Sequence, residues 1–192
     1  MSSAEQDPLA ELSKEQVVGL LEDAAKNWLA HDGLWFQAVE RRYGLETAIQ
    51  LDAEAWSQFS TVEAQRIMRR LGMVPGGGLE ALERALRLRL YARVNKQRTL
   101  WPNPRMLRFE MTACRVQEAR VRKGLPDFPC REVGVVEYTE FARAIDPRIQ
   151  TRCVQCPPDP RKAPAWCIWE FTLPDGPSDE AVPPDGATPV GG

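Results

Sequence analysis

Leu107-Arg108-Phe109-Glu110-Met111-Thr112 is the stretch whose reading decides the fold of this chain. Apolar and polar side chains alternate through it, placing Leu107, Phe109 and Met111 on one covered face of an extended strand. The residues before it follow a different period. Leu79, Leu82, Leu86, Leu90 and Val94 recur every three or four positions with the arginines off the stripe, and predict one long helix over 79–95 that backs a sheet. The change of period separates a helical N-terminal half from a half that carries strands. The expected fold is therefore α+β, with N-terminal helices packed on a small antiparallel sheet in the C-terminal half.

Working back towards the N-terminus, Ser13 and Gln16 form a capping-box pattern, followed by Val17, Leu20, Leu21, Ala24 and Trp28 at helical spacing. They predict a helix over 14–31. Asp32-Gly33 opens a second helix, ended at Gly44, and 45–59 forms a third. Ser60-Thr61-Val62-Glu63 supplies another capping box, so a fourth helix is expected up to Leu71. The run Gly76-Gly77-Gly78 breaks the chain; with no strand before it and no Lys-Ser or Lys-Thr after it, it lacks the pattern of a phosphate loop.

Working forward, Trp101-Pro102-Asn103-Pro104-Arg105 reads as the turn feeding the strand. Helices are expected over 114–123 and 133–145, then strands near 148–154 and 165–173 flanking a proline-rich loop. Residues 1–12 are expected to be a flexible start, 13–95 a helical region, and 96–173 a cysteine-rich α+β region sharing its core. Residues 174–192 have no aromatic side chain and many Pro, Gly and acidic residues, the composition of a disordered tail.

Composition narrows the function classes. The 192 residues are 43% hydrophobic and 27% charged, enough apolar material for a core. No run approaches the length of a membrane span. The formal charge of −2 argues against nucleic acid as the main partner, and the arginine clusters (Arg66, Arg69, Arg70; Arg84, Arg87, Arg89, Arg93) read as solvated helix faces. A small-molecule ligand is a candidate partner, and the sequence leaves a protein partner open. Residues 1–30 lack a basic start followed by an apolar stretch and cleavage site, so a cytoplasmic location with reduced thiols is expected.

All five cysteines, Cys114, Cys130, Cys153, Cys156 and Cys167, fall in the C-terminal part of the chain. Cys153-Val-Gln-Cys156 offers two sulfurs from one tight loop that Pro157 and Pro158 stiffen. Cys114 and Cys130 each stand at an expected helix start, where free amides and the helix dipole favour thiolate. The expected metal ligands are Cys114, Cys130, Cys153 and Cys156, holding zinc or an iron–sulfur cluster. Inert or redox-active thiols are the alternative. Cys167, in Trp166-Cys167-Ile168-Trp169-Glu170-Phe171, reads as a core residue on a strand.

Acid–base chemistry has few candidates. His31 is the only histidine. Trp28, His31 and Trp35 share a face if the helix continues through Asp32-Gly33, giving an aromatic-walled pocket with His31 and Asp32 at its mouth, or a histidine packed among tryptophans. Glu137 lies two turns beyond Cys130 on the same face and reads as a base, a supporting group or an ordinary surface carboxylate. Asp146 and Asp159 precede prolines and suit turns.

The runs Asn27-Trp-Leu-Ala-His-Asp-Gly-Leu-Trp-Phe36, Cys114-Arg-Val-Gln-Glu-Ala-Arg120, Gly124-Leu-Pro-Asp-Phe-Pro-Cys130 and Cys153-Val-Gln-Cys-Pro-Pro-Asp159 resemble an uncharacterised family of small cytosolic bacterial proteins. The placing of Cys114, Cys130 and Cys167 is also similar to L-2-amino-thiazoline-4-carboxylic acid hydrolase-like proteins. That second resemblance implies helices against an antiparallel sheet and hydrolysis of a C–N bond in a small nitrogen heterocycle. The proline-rich loop replaces the Gly-Asp pair usual there, and the Cys153/Cys156 pair is additional. Two functions are thus expected in competition. One is a metal- or cluster-binding protein with a redox or accessory role; the other is a hydrolase with Cys114 or Cys130 as nucleophile and Glu137 or His31 as base.

Overall fold

The computed structural model describes residues 7–174; the expected disordered tail lies, apart from its first residue, outside the described residues. Six α-helices and four strands occur among them: α1 Lys14–Tyr43, α2 Leu45–Leu71, α3 Gly78–Leu86, α4 Tyr91–Val94, β1 Lys96–Asn103, β2 Met106–Ala113, α5 Arg115–Arg122, α6 Arg131–Ile145, β3 Gln150–Gln155 and β4 Cys167–Thr172. The strands form one antiparallel sheet in the order β1-β2-β4-β3. The expected α+β class is what the chain adopts.

The first two helices are longer than the sequence signals suggest. Ser13 does cap α1, its hydroxyl accepting from Gln16 N while Gln16 Oε1 accepts from Ser13 N. The helix then runs through Asp32-Gly33 without a break. Extending an existing helix adds one hydrogen bond per residue fixed, whereas starting a new one pays the nucleation cost again, so one internal glycine does not stop it. The same holds at Ser60, which is buried inside α2 rather than capping a new helix.

The expected long helix over 79–95 does break. Residues 87–90 leave the helix between α3 and α4, and Arg89 turns inward to become almost fully buried. Ahead of α3, the glycine run docks onto the end of α6: Gly76 N donates to Ile145 O at 2.9 Å and Gly78 N to Asp146 Oδ2 at 3.0 Å. Asp146 also accepts from Arg148, so it is a buried strut and more than a turn residue.

The alternation read from β2 holds. Leu107, Phe109 and Met111 pair across to Phe171, Trp169 and Cys167 of β4, and all except half-buried Cys167 are buried under α6. The opposite face carries a charge ladder in which Arg98 and Arg108 hold Glu110, and Arg108 and Arg152 hold Glu170. Strand β1 went unread in the sequence because its residues are polar and mostly exposed, and Pro102 sits in it, as an edge strand allows.

Close approach of α6 to β4 depends on Gly134. A Cβ there would lie 2.8 Å from Trp169 Cζ2 and 3.1 Å from Cη2, closer than carbon atoms pack. Gly134→Ala is expected to destabilise the chain by about 1–3 kcal/mol in urea unfolding. Gly33→Ala, whose Cβ meets nothing nearer than Gln37 Nε2 at 4.0 Å, is expected to stabilise it by about 0.5–1 kcal/mol. Equal effects of the two would remove packing against Trp169 as the reason for the glycine.

Candidate functional site

The CxxC pair sits where β3 ends. Cys153 faces inward opposite Trp169, the register shifts between Cys153 and Gln155, and Cys156 follows the last strand residue. Pro157 turns the chain back to the start of α6, its carbonyl accepting from Arg131 N at 3.0 Å, with an Arg131–Asp159 ion pair beside it. That junction brings Cys130, the N-cap of α6, against the pair. Cys130 Sγ and Cys156 Sγ stand 3.5 Å apart.

Cys156 is the hub. Its thiol is within hydrogen-bonding reach of Cys130, Cys153 and Cys167. Cys114, the N-cap of α5, is close enough to Cys167 and Cys130 for their charges to act on it. Cys167 therefore belongs to the group and is not a separate core residue. All five are free thiols. Among the described residues, no group of three or more His, Cys, Asp or Glu side chains is arranged so that it could hold a metal ion.

The thiols are electrostatically unequal. A hydrogen bond from Cys156 lowers the Cys130 pKa below the usual thiol range against the effect of burial, helped by Gln117 Nε2 at 3.5 Å. Gln117 is itself buried and fixed to the Phe128 backbone through both ends of its amide. Cys153 is lowered by its own contact with Cys156 and by Arg131. Cys156, the donor to these neighbours, is held strongly protonated. Burial pushes Cys114 up to about 12, which leaves it a poor nucleophile at neutral pH.

These sulfurs lie at one side of a cavity of about 670 Å³ between α1, α2, α5 and α6, lined by Cys114, Cys130, Cys156 and Cys167 but not Cys153. That volume suits a small organic molecule. Trp56, Tyr91, Phe36, Phe128 and Trp169 are among its apolar walls, and Asp32, Asp52 and Glu137 among its polar ones. His31 is exposed and is not among the lining residues. Trp28 packs instead with Trp56, Phe59 and Tyr91, and Trp35 is solvent-exposed, so the aromatic wall is built largely from other residues than the sequence indicated.

Glu137 is held by Arg89, Nη1 to Oε1 at 2.7 Å, while Arg89 Nε also pairs with Glu63 at 2.8 Å. Burial still dominates and pushes Glu137 up to about 6. Asp52 is pushed up to about 7 by burial and then by Asp32 and Glu137, despite a hydrogen bond from Trp56. Sequence reasoning missed both Arg89 and Asp52. The one available signal was that Arg89 continues the Leu82, Leu86 spacing onto the buried stripe, an unusual place for an arginine without acidic partners.

With this geometry in place, the comparison with known families is decisive on one point. The chain belongs to a family of unknown function (DUF6125). The family model matches residues 10–173, which include every cysteine and the whole cavity wall. No curated protein and no solved structure matches the chain.

Two outcomes follow from the buried charges. Arg89→Met leaves two carboxylates without their cation and is expected to destabilise the chain by about 3–5 kcal/mol in urea unfolding, partly recovered by adding Glu63→Gln. Asp52 keeps its proton up to about pH 7 when folded but ionises near 3.8 when unfolded. The folded state binds more protons between those values, so this group lowers stability as pH rises through that window. Asp52→Asn should accordingly gain about 1–3 kcal/mol on the native chain at pH 8 relative to their difference at pH 4. An identical difference at both pH values would contradict the assignment.

Proposed function

We propose that this protein holds a soft metal, zinc or an iron–sulfur cluster, through its cysteine thiolates beside a small-molecule cavity, in a redox or accessory role. The observation that carries the reading is the position of Cys156 within reach of three other thiols, with Cys114 adjoining two of them. They come from the ends of β2, β3 and β4 and from the start of α6, far apart in sequence. An ordinary core does not need five thiols in one place. A soft cation does favour four sulfurs converging from separate elements, and it displaces their protons on binding. Loss of the S–H protons would remove the chain of sulfur contacts and free the side chains to turn towards a common centre. Cys130, Cys153 and Cys156 are the shared part of the ligand set, and Cys114 or Cys167 completes it.

A second reading, hydrolysis of a C–N bond in a small nitrogen heterocycle, is favoured by Cys130 alone. It lines the cavity, stands at a helix N-terminus and has a lowered pKa, whereas Cys114 is raised and His31 points elsewhere in the fold. Glu137, buried on the same wall, would be its base.

Anaerobic purification followed by metal analysis and a visible spectrum separates the two. The expected result is about one zinc per chain, or iron with inorganic sulfide and a coloured protein. Cys156→Ser is expected to abolish loading, and Cys114→Ser and Cys167→Ser to differ, identifying the fourth ligand. A colourless, metal-free protein that stays so after reconstitution would overturn the metal reading and leave Cys130→Ser as the variant to assay.

A further inference from the structure

We infer that the cavity binds a small organic cation, an amine on an apolar or aromatic body, with its charge held by Asp32 and Asp52 and its body against Trp56, Tyr91 and Phe36. This goes beyond the thiolate reading and does not rest on it, because none of these residues is a cysteine and all lie on α1, α2 or α4.

Three observations support it. The volume of about 670 Å³ and the largely apolar walls, with Trp56, Tyr91 and Phe36 among them, suit an organic molecule of modest size. The carboxyl groups on the wall are not equivalently neutralised: Glu137 has Arg89, while neither Asp32 nor Asp52 forms an ion pair among the described residues. The groups also repel one another. Asp32 and Glu137 both act against ionisation of Asp52, so they are near enough for a positive charge among them to relieve all three.

The positive side chains on the wall do not meet that need. Lys26 is paired with Asp23, and Arg120 is hydrogen-bonded to Pro126 O and lies over the Phe128 ring. Arg115, at the start of α5, and Lys123, just past its end, form no ion pair with Asp32 or Asp52 among the described residues. His31 adjoins Asp32 and offsets its charge only when protonated. An ammonium group between carboxylates and rings gains both Coulomb attraction and cation–π contact. A carboxylate-bearing ligand would meet repulsion instead.

Binding has a proton signature. A cation favours the ionised form of Asp52, so the carboxyl loses its proton as the amine enters. Tyr91, Glu137 and Asp32 act on or feel Asp52 from α4, α6 and α1, and burial pushes all three up in the same sense. Affinity for an amine should therefore rise between pH 5 and pH 8.

Isothermal titration calorimetry of the full chain with 2-phenylethylamine, 2-phenylethanol and 3-phenylpropionate tests this. The expected order at pH 7.5 is amine tightest, alcohol weaker, acid weakest by tenfold or more. Asp52→Asn and, independently, Asp32→Asn should each weaken the amine about tenfold while leaving the alcohol unchanged, with folding checked by circular dichroism. Cys156→Ser should still bind the amine more tightly than the acid, with or without metal, so failure of the thiolate reading and failure of this one are distinguishable. Equal or tighter binding of the acid, an amine affinity unmoved by both Asp variants, or no binding by any of the three would overturn the proposal.

Discussion

The buried Arg89 is the constraint on which the rest of this structure depends. Its guanidinium stands 4.6 Å from the Phe141 ring centre and 5.5, 5.6 and 5.8 Å from those of Tyr91, Tyr138 and Trp56, with Glu63 and Glu137 as its acidic partners. A cation in such surroundings survives only when neighbouring acids offset its desolvation, and here they do so although Arg89 Nη2 has no hydrogen-bond partner. Satisfying it requires α2 to present Glu63, α6 to present Glu137, and the helix over 79–95 to break so that the side chain can enter. One residue thus fixes the relation of three helices. It also decides that Glu137 faces the cavity as a tethered group, no longer free to act as an isolated carboxylate would.

Cys156 plays the corresponding role at the cavity's sulfur side. Its position follows from the β3 register shift and from the Pro157 carbonyl that caps the start of α6. Gln155 supports the same loop, its amide bonded to Ala165 O, Lys162 N and Ala163 N. The thiols therefore meet because backbone segments are fastened to one another, and not because sulfur attracts sulfur. A proton shared out from Cys156 lowers Cys130 and Cys153 together, so these thiols titrate as a set.

How much of this was legible depended on whether a residue's partner was near in sequence. The inner strands β2 and β4 showed themselves by alternation, since each is covered on one face; the edge strand β1 did not, because exposure removes the pattern. Capping signals at Asp32 and Ser60 misled, because a cap motif acts only where a helix must begin. The candidate site was half visible. Clustered cysteines, and the helix starts at Cys114 and Cys130, could be read from spacing. The inclusion of Cys167 required β4 to pair with β2, a long-range contact that strand alternation does not specify. Asp52 was invisible, and Arg89 showed only as a charge at a stripe position, for the same reason: their significance lies in acids contributed by other helices.

The sulfur side and the carboxyl side of the cavity share a sign. A Cys130 thiolate, Asp32, Asp52 and Glu137 all favour positive charge, and the charge of Glu137 is already felt at Cys130. Charge placed at either side is consequently felt at the other. A dication held by four thiolates keeps a net negative charge, so it would leave the carboxyls still short of a partner, whereas full thiol protonation would weaken the cavity's hold on a cation. Such coupling is reciprocal by linkage: whatever the sulfurs do to a ligand at Asp52, that ligand does in equal measure to proton or metal binding at the sulfurs. The cavity is therefore one electrostatic unit with two chemistries at its edges, its negative charge limited by Arg89 behind Glu137 and by Lys26, Arg115, Arg120 and Lys123 on the wall.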